Sequence, residues 1–149
     1  MATRRNQQAK RLREVIHFLI RLFLVSGRSG APAEGRLPFN PLYFHMLGHL
    51  RESGPTRPSD LAEKFEVARS TLSTASNALI NRGLMEKQSD PTDGRAHLLA
   101  LTGEGSEVAQ AIYRQDIVNM TLLLDQLEAG QIEPLLVQLE TIVEGLARA

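Results

Sequence analysis

Apolar residues recur at helical spacing along most of this 149-residue chain, and one interval breaks the rhythm. Leu12, Val15, Ile16, Leu19, Leu22 and Phe23 form a stripe that predicts a first helix over about 8–26. Phe18, Leu24 and Val25 lie off that stripe, so this helix has more than one side to bury and calls for a second subunit as well as its own core. Residues 26–40 are rich in Gly, Ser, Pro and Ala and read as a loop. A second helix follows over about 41–52 with Leu42, Met46, Leu47 and Leu50 inward, ended by Ser53-Gly54-Pro55-Thr56. A third runs from Ser59, as its cap, through Phe65, with Asp60 where the helix dipole favours negative charge. The fourth spans Arg69 to Arg82, and Gly83 supplies a left-handed stop.

From Leu84 to Leu101 the helical period gives way to two strand-like runs around an Asp-Gly-Arg tip. Asp90-Pro91 is expected to start the turn and Gly94 to take a positive φ. Thr102 opens a long helix with Glu104 in its first turn. Tyr113, Ile117, Met120, Leu124 and Leu127 step by three and four. So do Ile132, Leu135, Leu139, Ile142 and Leu146, after a break expected at Gly130 and with Pro134 near the last helix's start. Two such stripes predict an antiparallel helical hairpin. They exceed what a small core needs to cover. An intramolecular bundle is one solution; the preferred one is a dimer built on the first and last two helices.

Composition changes this picture only in places. The absence of cysteine excludes disulfides, thiol chemistry and zinc ribbons. Net charge is zero, but residues 1–36 carry eight basic side chains against two acidic ones, and residues 103–149 carry the reverse. That asymmetry suits a molecule with one face toward an anion. The basic lead, the apolar run from Val15 to Val25 and Ala31-Pro32-Ala33 imitate a secretory leader. Arg21 and His17 interrupt the run, which is also far short of the ~20 residues that span a bilayer, so a cytoplasmic protein with no membrane partner is expected. No nucleophile, base and orienting group cluster, and no glycine-rich phosphate loop follows a strand, which argues against an enzyme and calls for no cofactor or metal.

A helix pair followed by a charged hairpin is how a winged module lays one helix in a DNA major groove while the tip grips the adjoining backbone. Projected at 100° per residue, the fourth helix puts Leu72, Ala75, Ser76 and Leu79 on one side. Ser70, Thr74, Asn77 and Asn81 lie opposite, with Ser73 and Thr71 beside them. Asn bonds adenine edges in bidentate fashion, Ser and Thr meet any base, and a Thr methyl touches thymine. Arg57, Arg69 and Arg82 are expected to hold phosphates, and Ser59 joins them at the start of the third helix. Arg95 at the hairpin tip is suited to a narrow, electronegative minor groove. Asp93 fits better as an anchor for Arg95 or a neighbouring arginine than as a DNA contact. Lys87 and His97 sit lower on the wing, with His97 read as a solvent-facing strand residue.

At these residues the chain resembles the multiple-antibiotic-resistance regulator (MarR) family of transcription factors. Asp60-Leu-Ala through Ser70-Thr-Leu to Gly83-Leu84 follows the family's helix pair without gaps. Asp90, Pro91, Asp93, Arg95, Leu101, Thr102 and Gly105 follow its wing. Ala68 stands where a Ser or Thr cap is usual, Glu66 where Gly is frequent, Thr74 for a frequent Arg and Asn77 for a frequent Asp. The resemblance implies a mainly α (α+β) winged helix-turn-helix with a two-stranded β wing. It implies one domain over 1–149, with dimerisation helices at about 1–36 and 103–149 and the DNA-binding part at about 41–102. It further implies a homodimer on a near-palindromic double-stranded operator, a repressor released by a small-molecule effector. His17, Phe18, Phe44, His45 and His49 are the candidate effector-binding groups. His45 and His49 have metal-capable spacing, but with no acid nearer on that helix than Glu52 they read as packed or surface histidines. A winged module that binds protein and no DNA is the alternative.

Overall fold

A computed structural model describes residues 2–25 and 40–149. They form two compact units, residues 1–115 and 116–149. The first holds α1 (Ala2–Ile20), which runs on through one π turn (Arg21–Val25), then α2 (Pro41–Ser53), α3 (Pro58–Lys64), α4 (Arg69–Asn81), β1 (Met85–Asp90), β2 (Asp93–Leu101) and the start of α5 (Gly103–Leu124). The second holds the rest of α5 and α6 (Ala129–Ala147). The winged helix-turn-helix expected from sequence is therefore present. The loop expected over 26–40 lies outside the described residues except for Asn40. Among the described residues no helix is long and apolar enough to cross a membrane.

Several boundaries differ from expectation for local reasons. Helix α1 begins at Ala2, well before the apolar stripe, because Arg, Gln, Lys and Ala are good helix formers. Asn40 caps α2, its Oδ1 accepting from Leu42 N at 3.0 Å. Ser59 is not the cap of α3: Pro58 takes the first helical position, where a missing N–H costs nothing, and Arg57 is the N-cap residue. The break before α6 falls at 125–128 rather than at Gly130, because Glu128 and Gln131 form a reciprocal capping box that starts the helix. Between α3 and α4 the chain turns through Glu66 at φ 52°, a conformation that only small local costs allow a non-glycine residue. Ala68 opens α4 without a side-chain cap.

The core of the first unit draws Met46, Leu47 and Leu50 from α2, Leu61 and Ala62 from α3, and Leu72, Ala75 and Leu79 from α4. Leu84, Met85 and Leu99 from the hairpin base join Val108 and Ala109 of α5 in the same cluster. Thr56 and Leu99 exchange backbone hydrogen bonds of 3.0 and 2.9 Å, a one-residue third strand that ties the start of the helix pair to the wing. The seam between wing and α5 is tighter still. Thr102 N donates to Leu84 O at 3.2 Å, and Thr102 Oγ1 donates to Gly83 O while accepting from Gly105 N at 3.0 Å. Gly105 lies so close to Leu84 that an added Cβ would stand 2.7 Å from that carbonyl carbon.

Apolar residues of α1 and α6 are not spent in this way. Leu12, Val15, Ile16, Phe18 and Ile20 of α1 are about half exposed. Helix α6 has no buried residue, and Ile142 and Leu146 are 55% and 73% exposed. Among the described residues, each of these helices thus keeps a largely exposed apolar stripe.

Candidate nucleic-acid interface

Helix α4 orients the candidate reading face by burying its opposite side. Leu72, Ala75, Ser76 and Leu79 are buried as the projection required, and Ser76 Oγ satisfies itself on Leu72 O at 2.8 Å. Ser70, Thr71, Ser73, Thr74, Asn77 and Asn81 are all exposed. Thr74 spends its hydroxyl hydrogen on Ser70 O at 3.0 Å, leaving an acceptor lone pair and a methyl group outward. No charged residue lies between Arg69 and Arg82, which bracket the helix and are both exposed.

The wing stands beside this face. Strands β1 and β2 pair antiparallel, Lys87 opposite Leu99 and Ser89 opposite His97, then skip to Asp90 opposite Asp93. Gly94, Arg95 and Ala96 thus oppose no residue of β1 and form a bulge on which Arg95 is exposed. The turn itself is Pro91-Thr92, so the expectation of a positive φ at Gly94 fails. Proline supplies the turn's first φ, and Asp90 closes it by accepting from Thr92 N at 2.9 Å and Thr92 Oγ1 at 2.8 Å.

Asp93 does not hold a guanidinium either. Its Oδ1 accepts from the Arg95 backbone N at 3.1 Å and fixes the bulge. The arginine partner is Asp90, whose Oδ2 receives Arg57 Nη2 at 2.6 Å and Nε at 2.7 Å. Two Thr92 donors, then Arg57, hold the Asp90 carboxyl at a pKa of about 2 against the opposing effect of burial. The same hydrogen bond and charge raise the Arg57 pKa. Arg57 was expected free for phosphate; here its charge is spent on the wing.

Between α4 and the wing lies a cleft of about 250 Å³. Arg69, Ser73 and Asn77 line one wall, Lys87 and His97 the other, and Pro58 and Ser59 the end near α3. Leu72 and Leu99 add apolar lining, and the polar groups of the cleft are cationic or neutral, without a carboxylate. Ser59 therefore keeps a place in the site although it caps nothing, its Oγ 3.4 Å from Asp60 Oδ1. His97 is an exposed strand residue as expected, and strand alternation puts it on the same wing face as Leu99, where it lines the cleft.

The candidate effector residues are less gathered. His45 and His49 flank Phe65 with ring centroids 6.0 and 6.2 Å away, and His49 Nε2 lies 3.4 Å from Thr56 Oγ1. Phe44 is half-buried against the core. Phe18 is exposed beneath Arg21, and His17 is exposed. None of these five lines the α4–wing cleft or a second groove along Arg51, Ser106, Gln110 and Arg114. Among the described residues no three His, Asp or Glu are grouped to hold a metal.

Comparison with known proteins bears on this geometry. A family model described as "MarR family" matches residues 39–97, the stretch that builds α2, α3, α4 and most of the wing. Over that stretch, less than half of the chain, the sequence is similar to the MarR family. An HTH-type transcriptional regulator of Bacillus subtilis, YxaD, is 41% identical over 66 residues, 44% of this chain and 46% of its own length. The match thus spans about half of that relative. A MarR family protein from Bacillus stearothermophilus has the same fold over 99% of this chain and 98% of its own, with a TM-score of 0.76 at 17% identity. Streptococcus pneumoniae FabT, solved in complex with DNA, aligns over 99% of both chains with a TM-score of 0.73 at 16% identity.

Proposed function

We propose that this MarR-type protein is a dimeric, sequence-specific DNA-binding transcriptional regulator. It acts as a repressor whose hold on a near-palindromic operator is relieved by a small molecule. The observation that carries the reading is the α4–wing pair: an exposed polar helix face bracketed by Arg69 and Arg82, beside a wing presenting Lys87, His97 and Arg95. Asn77, Ser73, Thr74 and Ser70, with Thr71 at their edge, read bases, while Arg69, Arg82, Lys87 and Ser59 position the backbone. Arg95 enters the adjacent minor groove. FabT, with the same fold, is seen bound to DNA, which supports the assignment.

The exposed stripes of α1 and α6 make a second copy the natural occupant of those faces, and a twofold pair of wings suits a near-palindrome. Relief by an effector requires a ligand that binds more tightly to the pair when its reading helices are wrongly spaced for DNA. His17, Phe18, Phe44, His45 and His49 remain the groups proposed for it. Zero net charge and an α4 face without charge between its ends favour one other reading, a winged module that docks on protein.

Electrophoretic retardation of the DNA upstream of its own gene separates the two. Retardation of that duplex over a scrambled one is expected, with Asn77→Ala eroding the preference more than the affinity. No retardation of any duplex at low salt would leave only the protein-docking reading.

A further inference from the structure

We propose that Arg57 is a positioning residue that acts on DNA through the wing, by latching Asp90 and Thr92 at the hairpin turn, rather than by gripping a phosphate. This rests on the DNA-binding reading above. Arg57 immediately follows Thr56, which is hydrogen-bonded in both directions to Leu99 of β2. The wing is thus tied to the start of α3 at its base. A second tie is needed further out, because Leu99 pairs with Lys87 and the turn begins three residues beyond it, a distance of ~10 Å. A two-stranded hairpin of that reach has little stability of its own.

Arg57 supplies the tie. Its Nη2 and Nε converge on Asp90 Oδ2 at 2.6 and 2.7 Å, and Nη2 also donates to Thr92 Oγ1 at 3.2 Å. Thr92 returns two hydrogen bonds to Asp90 Oδ1. Every member of this ring bonds the other two, and Asp90 is 5% exposed. The register skip that throws out Gly94, Arg95 and Ala96 falls between Ser89 and Asp90, so the Asp90–Asp93 pair bounds it on the turn side. Holding Asp90 against α3 therefore sets where Arg95 emerges relative to α4. A carboxylate beside DNA would ordinarily oppose binding; here its removal is expected to weaken it.

The test is fluorescence anisotropy on the labelled upstream duplex over a salt series, using the full-length protein and its Asp90→Asn, Arg57→Gln, Thr92→Val and Arg95→Ala variants. Asp90→Asn should lower affinity about tenfold, the order of one charge-assisted contact, as should Arg95→Ala. Both should reduce the slope of log affinity against log salt by about 1.8, since ~0.9 belongs to each neutralised charge and a dimer carries two wings. The double variant Asp90→Asn/Arg95→Ala should bind no more weakly than Arg95→Ala alone. Thr92→Val, a milder change, should move affinity the same way by a smaller factor, which keeps the test open should Asp90→Asn fold poorly. Unchanged or tighter binding by both Asp90→Asn and Thr92→Val would overturn the proposal, as would multiplicative loss in the double variant. Failure of the unaltered protein to bind any duplex would instead sink the DNA-binding reading itself.

Discussion

Replacing Gly105 by Ala should destabilise this protein although the change improves helix propensity. Gly105 sits in the first turn of α5, where Ala would gain up to ~1 kcal/mol over Gly. Its added methyl, however, would overlap the Leu84 carbonyl oxygen and lie 2.7 Å from the carbonyl carbon and 3.1 Å from its Cα, roughly 1 Å inside the usual carbon–carbon separation of ~3.5–4.0 Å. Leu84 cannot simply yield. Its N–H donates to Leu79 O at 3.0 Å, its carbonyl accepts from Thr102 N at 3.2 Å, and its side chain is 2% exposed in the core. Overpacking against backbone costs ~1–3 kcal/mol, with ~1 kcal/mol more if the Thr102 hydrogen bond is lost. The net expectation is a loss of ~2 kcal/mol, which for a chain of this size lowers Tm by about 4–8 °C. Gly48→Ala is the control: it lies mid-helix in α2, its added Cβ meets nothing within 4 Å, and Tm should hold or rise by a few degrees. Thermal unfolding followed by circular dichroism measures both. A Gly105→Ala protein at or above the parent Tm would refute the close seam between wing base and α5.

Other expectations follow from the same geometry. Ala68→Ser should supply the side-chain cap that α4 lacks and raise stability by ~1 kcal/mol, read as a higher urea midpoint at unchanged slope. The lowered Asp90 pKa contributes stability that is complete above about pH 3.8 and is lost as pH falls toward about 2; Asp90→Asn should flatten acid unfolding in that window. Ile142→Glu or Leu146→Glu, on the exposed α6 stripe, should convert the proposed dimer to monomer by sedimentation while leaving the helical circular dichroism signal largely intact.

What sequence could show was periodic or local. The 100° projection separated Leu72, Ala75, Ser76 and Leu79 from Ser70, Thr74 and Asn77 because burial follows helical phase when one face meets a core. The stripe of α6 was visible for the same reason, and the structure leaves it uncovered in the single chain. The Arg57–Asp90 latch was not visible, since 33 residues separate its ends and no period links them. Asp93 neighbours Arg95 in sequence, whereas the ion pair is set by how the sheet folds back on the start of α3. Gly94 misled in a similar way: glycine marks turns, but the Asp-Pro pair had already made this one, and the glycine sits in a bulge.

The central claim is that a reading helix and an arginine-bearing wing hold a DNA duplex together, and the salt dependence of binding by Arg95→Ala tests it most directly. Between 50 and 200 mM salt the unaltered protein should lose affinity linearly on a log–log scale, and the dimeric variant, short of two arginines per complex, should have a slope shallower by about 1.8 on operator and scrambled duplex alike. A slope unchanged by losing Arg95, or no measurable affinity for any duplex at the lowest salt, would contradict it.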